Sequence, residues 1–176
     1  MLYQYQSRAD PRRCDGEETL WGALGLSETP APFVQTVPPP VFVSHAQLDE
    51  PALYPVLDTL RERFALNLFV CADSIPAGAD WHRSIQDELQ RREVLLAIVS
   101  KAYLASTFCA FEAGLALGQS KTLRMVSLDG TSPPSHLQHI QSQDVQRLMQ
   151  RKPWLRETEA LLECILMALS QTADGS

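Results

Sequence analysis

The chain has 176 residues, 45% of them hydrophobic and 20% charged, which suits one globular domain, or one domain plus an arm. Its net charge of -6 excludes broad binding to nucleic acid or to anionic membranes, which needs a basic surface. Four scattered cysteines without a C-x-x-C pair give neither a disulfide framework nor a zinc knuckle, and they fit a reducing cytoplasm.

Residues 1–39 read as an N-terminal arm rich in proline, partly ordered at most. Residues 19–26 suit a short helix with Leu20, Trp21, Leu24 and Leu26 as apolar contacts. The run Pro38-Pro39-Pro40 is a stiff, extended spacer. A loose or simply packed arm is the plain reading; a docking peptide anchored by Trp21 is the alternative. No charged n-region leads into an apolar h-region. The apolar runs at 94–99 and 164–169 are too short to span a bilayer. A soluble, cytoplasmic protein is expected.

From residue 40 the pattern changes. Val41-Phe42-Val43 is β-branched and aromatic, and reads as a buried strand. A polar turn follows, from Ser44 to Glu50. Asp49 is placed to cap a helix that Pro51 opens, with Leu53, Val56, Leu57, Leu60 and Phe64 at helical spacing. Residues 67–71 form the second strand. The loop 72–80 contains Asp73, Pro76 and Gly78, and Asp80 caps a helix with Trp81, Ile85 and Leu89 on one face.

Residues 94–99 are apolar throughout, as in a central parallel strand covered on both faces. Residues 102–118 follow as a helix, with an interruption expected near Ser106-Thr107. Residues 123–128 make a fourth strand. Residues 136–145 fit either a loop or a short fifth strand near Ile140. Pro153 opens a last helix, with Trp154 packed at its start and Leu155, Leu161, Leu162, Ile165, Leu166 and Leu169 as its stripe.

Alternating strands and helices predict a flavodoxin-like α/β fold: about five parallel strands in the order 2-1-3-4-5, with helices on both faces. Ligands bind such sheets beyond the carboxyl ends of the strands, where the winding reverses between strands 1 and 3. Ser44 and His45 follow strand 1, and the helix after strand 3 carries Phe108, Cys109 and Glu112 on one face. Glu112 is the one charged side chain between Lys101 and Lys121. A carboxylate in that apolar setting is costly to bury unless paired, hydrogen-bonded or turned to a cleft; a rim acid pointing at water is the alternative. Phosphate-binding glycine motifs, the acids of a phosphoryl receiver and a G-x-S-x-G elbow are all missing from the sequence.

Three boxes carry a resemblance. Val41-Phe42-Val43-Ser44-His45 with Asp49-Glu50 resembles the first box of Toll/interleukin-1 receptor (TIR) domains. The stretch from Asp73 through Pro76, Gly78 and Trp81 to Ile85 resembles that family's BB loop and the helix after it. The stretch from Val99-Ser100 through Tyr103, Ser106, Phe108 and Cys109 to Glu112 resembles the box that ends in the family's glutamate. The order and separation fit, and the domain would run over residues 40–172.

The resemblance implies that Glu112 is catalytic in a bacterial-type member that cleaves the nicotinamide–ribose bond of NAD+. The product is ADP-ribose or a cyclic isomer, made in antiphage defence or signalling. Phe108 stands where the family commonly has Trp, leaving a smaller stacking surface, which bears on affinity more than on chemistry. Ser44, His45, Asp73, Trp81 and Cys109 would line the pocket. Turn capping is the plainer role for Ser44, His45 and Asp73, packing under the BB loop is the plainer one for Trp81, and His45 is a candidate general base. NAD+ is then a substrate, and no cofactor or metal is expected. Homotypic self-association is implied, with room for a separate activator or effector protein. The rival reading is a non-catalytic TIR–TIR interaction module, a signalling scaffold or a virulence mimic; a non-catalytic nucleotide sensor is a third.

Overall fold

The computed structural model describes residues 39–70 and 81–170, with Trp81 described by its backbone alone. The chain divides between Val37 and Pro38, and all the described residues belong to the second unit. The expectations for the arm, for the loop 72–80 and for the chain after residue 170 fall outside them.

Five parallel strands form one sheet in the order β2-β1-β3-β4-β5. They are β1 (Val41–Ser44), β2 (Leu68–Val70), β3 (Val94–Val99), β4 (Thr122–Ser127) and β5 (Ser142–Asp144). The helices are α1 (Glu50–Phe64), α2 (Trp81–Gln90), α3 (Lys101–Ala105), α4 (Thr107–Gly118), α5 (Val145–Arg151) and α6 (Glu157–Ser170).

The two-residue period of the strands sorts their side chains into two cores. Val41, Val43, Leu96, Ile98 and Val126 pack with Leu53, Leu57 and Leu60 of α1 and Leu161 and Ile165 of α6. Phe42, Leu95, Ala97, Val99 and Met125 face the other way, onto Ile85 and Leu89 of α2, Tyr103 of α3, and Cys109 and Ala116 of α4. β3 lies between β1 and β4, and five of its six residues are buried. This is the continuous apolar run of a doubly covered parallel strand.

The interruption expected near Ser106 is real, and two serines make it. Ser100 Oγ accepts from the Tyr103 backbone N–H at 3.0 Å and caps α3. Ser106 Oγ accepts from the Cys109 N–H at 3.3 Å and caps α4. Ser106 itself is extended, with φ −85° and ψ 118°, so the two helices meet at a bend.

Three expectations need correction, on the Asp49 cap, the start of the last helix and the packing of Trp154, and the stretch 136–145, open by sequence, holds a short fifth strand. Asp49 precedes α1 but makes no side-chain cap; its carboxylate accepts from Ser100 Oγ at 2.7 Å, which ties the turn after β1 to the start of α3. The fifth strand forms at Ser142–Asp144, two residues beyond Ile140, where it pairs with Met125, Val126 and Ser127. A helix, α5, follows it directly, capped by Asp144 Oδ1 on the Arg147 N–H at 2.9 Å. The last helix starts at Glu157 rather than at Pro153, and Trp154 is 71% exposed instead of packed. Glu159 draws that helix start back by accepting from the Arg156 backbone N–H at 2.9 Å and from its guanidinium at 2.8 Å.

Candidate functional site at the switch point

β1 and β3 are neighbours, and the chain winds away from them in opposite directions, to β2 on one side and β4 on the other. Their carboxyl ends therefore form the crevice of a doubly wound sheet. Ser44 is the last residue of β1, in register with Ala97 of β3, and it is fully buried. Tyr103 of α3 and Cys109 of α4 are buried in the core on that side of the sheet.

Glu112 lies in the middle of α4 and is only 5% exposed, so it is not a rim acid pointing at water. Its Oε2 accepts a 2.5 Å hydrogen bond from Ser44 Oγ. The Tyr103 hydroxyl lies 3.3 Å from the same Ser44 oxygen. The carboxyl group is thus taken out of water and given a hydroxyl partner in exchange, the hydrogen bond that a buried polar group demands. The short bond from Ser44 holds the carboxyl group in place.

The neighbours stay neutral. Burial pushes the Cys109 thiol up to about 11; hydrogen bonding to Ser106 and Ser44 opposes this, and the charges of Glu112 and Asp49 add to it. Burial also drives the Tyr103 phenol well above its ordinary value, against the pull of the Ser44 hydroxyl and with the charges of Cys109 and Glu112 adding to the rise. Both groups keep their protons at neutral pH.

Of the residues singled out from the sequence, Ser44, Cys109 and Glu112 come together here. Phe108 is on the first turn of α4 and 54% exposed, so the face expected to be shared is split: Cys109 and Glu112 are buried, and the Phe108 side chain is largely exposed. Phe111, one turn on, meets the His82 ring of α2 edge-on at 5.1 Å. His45 is held against α1, with Nε2 3.8 Å from Glu50 Oε1 and its ring edge-on to Tyr54 at 6.2 Å. Asp73 and the Trp81 side chain lie outside the described residues; the backbone of Trp81 opens α2.

Tyr103 and the Asp49–Ser100 bond were not singled out from the sequence. The signal for them was present: Ser100 is a cap, Tyr103 stands three residues later, and the acid of the first box needed a partner. Helical spacing does not show that a tyrosine on α3 reaches back to β1.

A doubly wound parallel sheet with a buried, hydroxyl-held acid at its switch point defines a flavodoxin-like α/β domain with a chemically equipped crevice. A family model described as "TIR domain" matches residues 41–162. The chain belongs to the TIR-domain family. The TIR domain of the Toll-related receptor TRR-2 from Hydra magnipapillata has a similar fold, at 18% identity and a TM-score of 0.54, over 65% of this chain and 94% of that one. A 2-desoxiribosyltransferase from Leishmania mexicana aligns over 55% of this chain and 75% of its own, at 18% identity and a TM-score of 0.41. No curated protein sequence matches the chain. The family contains both signalling modules and NAD+-cleaving enzymes. Among the described residues no helix is long and apolar enough to cross a membrane.

Proposed function

We propose that this TIR domain cleaves the bond between nicotinamide and ribose in NAD+, with Glu112 as its catalytic residue. The observation that carries the reading is the Glu112 carboxylate, buried at the switch point and held by Ser44. When the bond from C1′ to the nicotinamide nitrogen breaks, its electron pair leaves with nicotinamide, which departs neutral. Positive charge develops on the ribose C1′ and ring oxygen. A fixed carboxylate in a water-poor setting stabilises that charge, as in glycoside hydrolysis. Water then adds at C1′ and loses a proton, giving ADP-ribose. A nucleophile within the same product would give a cyclic isomer. The exposed Phe108 ring, one turn before Glu112 on α4, offers a face on which a substrate ring could stack. In a bacterial cell such turnover would serve antiphage defence or signalling, by depleting NAD+ or by making a messenger.

The test is incubation of purified protein with NAD+ and chromatography of the products. Nicotinamide should appear in step with ADP-ribose or an isomer. Glu112→Gln and Glu112→Ala should lower the rate by about 100-fold or more while the far-ultraviolet spectrum stays the same. Wild-type turnover in either variant removes Glu112 from the mechanism.

One observation favours a second reading, an interaction module without turnover. Leu104, Phe108, Phe111 and Leu117 are all partly exposed on α3 and α4, more apolar surface than one helical segment needs to show. An unchanged NAD+ pool in the presence of assembled protein would select this reading.

A further inference from the structure

We infer that Tyr103 is a positioning residue for Glu112, acting through Ser44, and that the three form a directed hydrogen-bond relay. The inference rests on the reading of Glu112 as the working acid, and it is built from proton counting. A serine hydroxyl has one proton and two lone pairs. Ser44 Oγ lies 2.5 Å from Glu112 Oε2 and 3.3 Å from the Tyr103 hydroxyl oxygen. With Glu112 ionised, as its proposed role requires, the serine proton belongs on the shorter, charge-assisted bond. Ser44 then has only lone pairs to offer Tyr103, so the phenol O–H donates to Ser44, and Ser44 donates to Glu112. Tyr103 is 3% exposed, so its hydroxyl needs such a partner.

The relay is anchored at its far end. Ser100 Oγ accepts from the Tyr103 backbone N–H at 3.0 Å and donates to Asp49 Oδ2 at 2.7 Å. The acid of the first box thus fixes the helix turn that carries Tyr103, and Tyr103 reaches back to the serine of the same box. Donors arranged in series polarise one another, so the Tyr103 hydroxyl strengthens the Ser44 bond to the carboxylate. Among the described residues, Tyr103 from α3 and Cys109 one turn before Glu112 are titratable groups that feel its charge, with Asp49 acting on Cys109 from the turn after β1. His82 of α2 meets Phe111 on the outer part of the same helix. Tyr103 and Cys109 are neutral below pH 9, so a titration at acid pH reads the relay without their ionisation.

The experiment uses the whole chain labelled with carbon-13 at the glutamate carboxyls, the Glu112 signal being the one lost in Glu112→Gln. Tyr103→Phe keeps the ring and removes only the hydroxyl. It should raise the midpoint of Glu112 titration by about half a pH unit, and Ser44→Ala by about one unit or more, because each weakens donation to the charged form. In the Ser44→Ala background Tyr103→Phe should add no further shift, since the relay is already cut. With NAD+, Tyr103→Phe should lower kcat about tenfold, leave KM within about twofold, and move the acid limb of the kcat profile upward.

An unchanged Glu112 midpoint in Tyr103→Phe overturns the inference, as do additive shifts in the double variant. If Tyr103→Phe does not fold, the wild type decides: the Tyr103 hydroxyl proton should exchange slowly and change frequency as Glu112 titrates, and its insensitivity to that titration overturns the relay. The titration needs no turnover. Absence of NAD+ cleavage by the wild type strikes the proposed function and leaves the relay to be judged by the carboxyl signal.

Discussion

At the scale of single residues, the site is one buried carboxyl group beside a thiol and a phenol that hold their protons. Cys109 and Cys164 are buried thiols raised to about 11 and about 12, each mainly by burial, with nearby carboxylates adding to the rise. An ordinary thiol ionises near 9, so above that pH the unfolded chain releases these protons while the folded chain keeps them. The folded state then binds more protons than the unfolded one, and stability falls as pH rises. The thiol contribution should be flat below about pH 8.5 and decline from about 9 through the folded values. Urea midpoints measured under reducing conditions between pH 7 and 10.5 check this, and Cys109→Ala should flatten part of the slope. A midpoint that stays level up to pH 10.5 contradicts buried thiols at these positions. Iodoacetamide at pH 8 should likewise leave Cys109 unmodified in the folded chain, as read from its peptide by mass spectrometry.

At the scale of elements, the strands of the crevice were legible and the last third of the chain was less so. β3 runs from Val94 to Val99, as its unbroken apolar pattern demands, and the Ser106 break follows from a residue that competes for the backbone of the next helix. β5 is different. It is a polar edge strand, Ser-Gln-Asp, with no apolar alternation to betray it, and α5 is one of the shorter helices, with Val145 and Leu148 as its buried contacts. Both form because β4 and α6 already supply the surface they pack on. Trp154 misled for the reverse reason: a large aromatic beside a proline suggests an anchor, yet in the turn before α6 it is Leu155 that packs against the core while Trp154 stays exposed. What holds α5 to α6 includes Lys152 Nζ on Glu163 Oε1 at 2.6 Å. The other oxygen, Glu163 Oε2, is buried without a hydrogen-bond partner among the described residues. Lys152→Ala should therefore cost about 3 kcal/mol in urea unfolding, because it strands a buried carboxylate. Lys152→Met with Glu163→Leu should recover most of that loss. Recovery by the double variant identifies the cost as the stranded charge; a double variant as weak as the single one refutes that account.

At the scale of the whole molecule, the alternation of strand and helix was enough to predict the order 2-1-3-4-5, because right-handed crossovers leave few other ways to bury an apolar β3. The geometry around Glu112 needed coordinates, since Ser44, Tyr103 and Glu112 are brought together by crossovers and not by spacing along one helix. Self-association through like domains is general among TIR domains, and this one shows Leu104, Phe108 and Phe111 at its surface near the crevice-bearing helices. If NAD+ cleavage depends on a neighbouring copy, the reaction order in protein exceeds one. Specific activity should then rise with concentration until assembly is complete, and it should be lost on dilution to a monomer verified by light scattering. Phe108→Ser tests whether the exposed ring belongs to the copy that binds substrate or to the contact between copies. Loss through the contact is restored by raising the protein concentration, whereas loss through stacking is restored by raising NAD+. A dilute monomer turning over NAD+ at the rate of the concentrated protein excludes assembly dependence, and the domain then works alone.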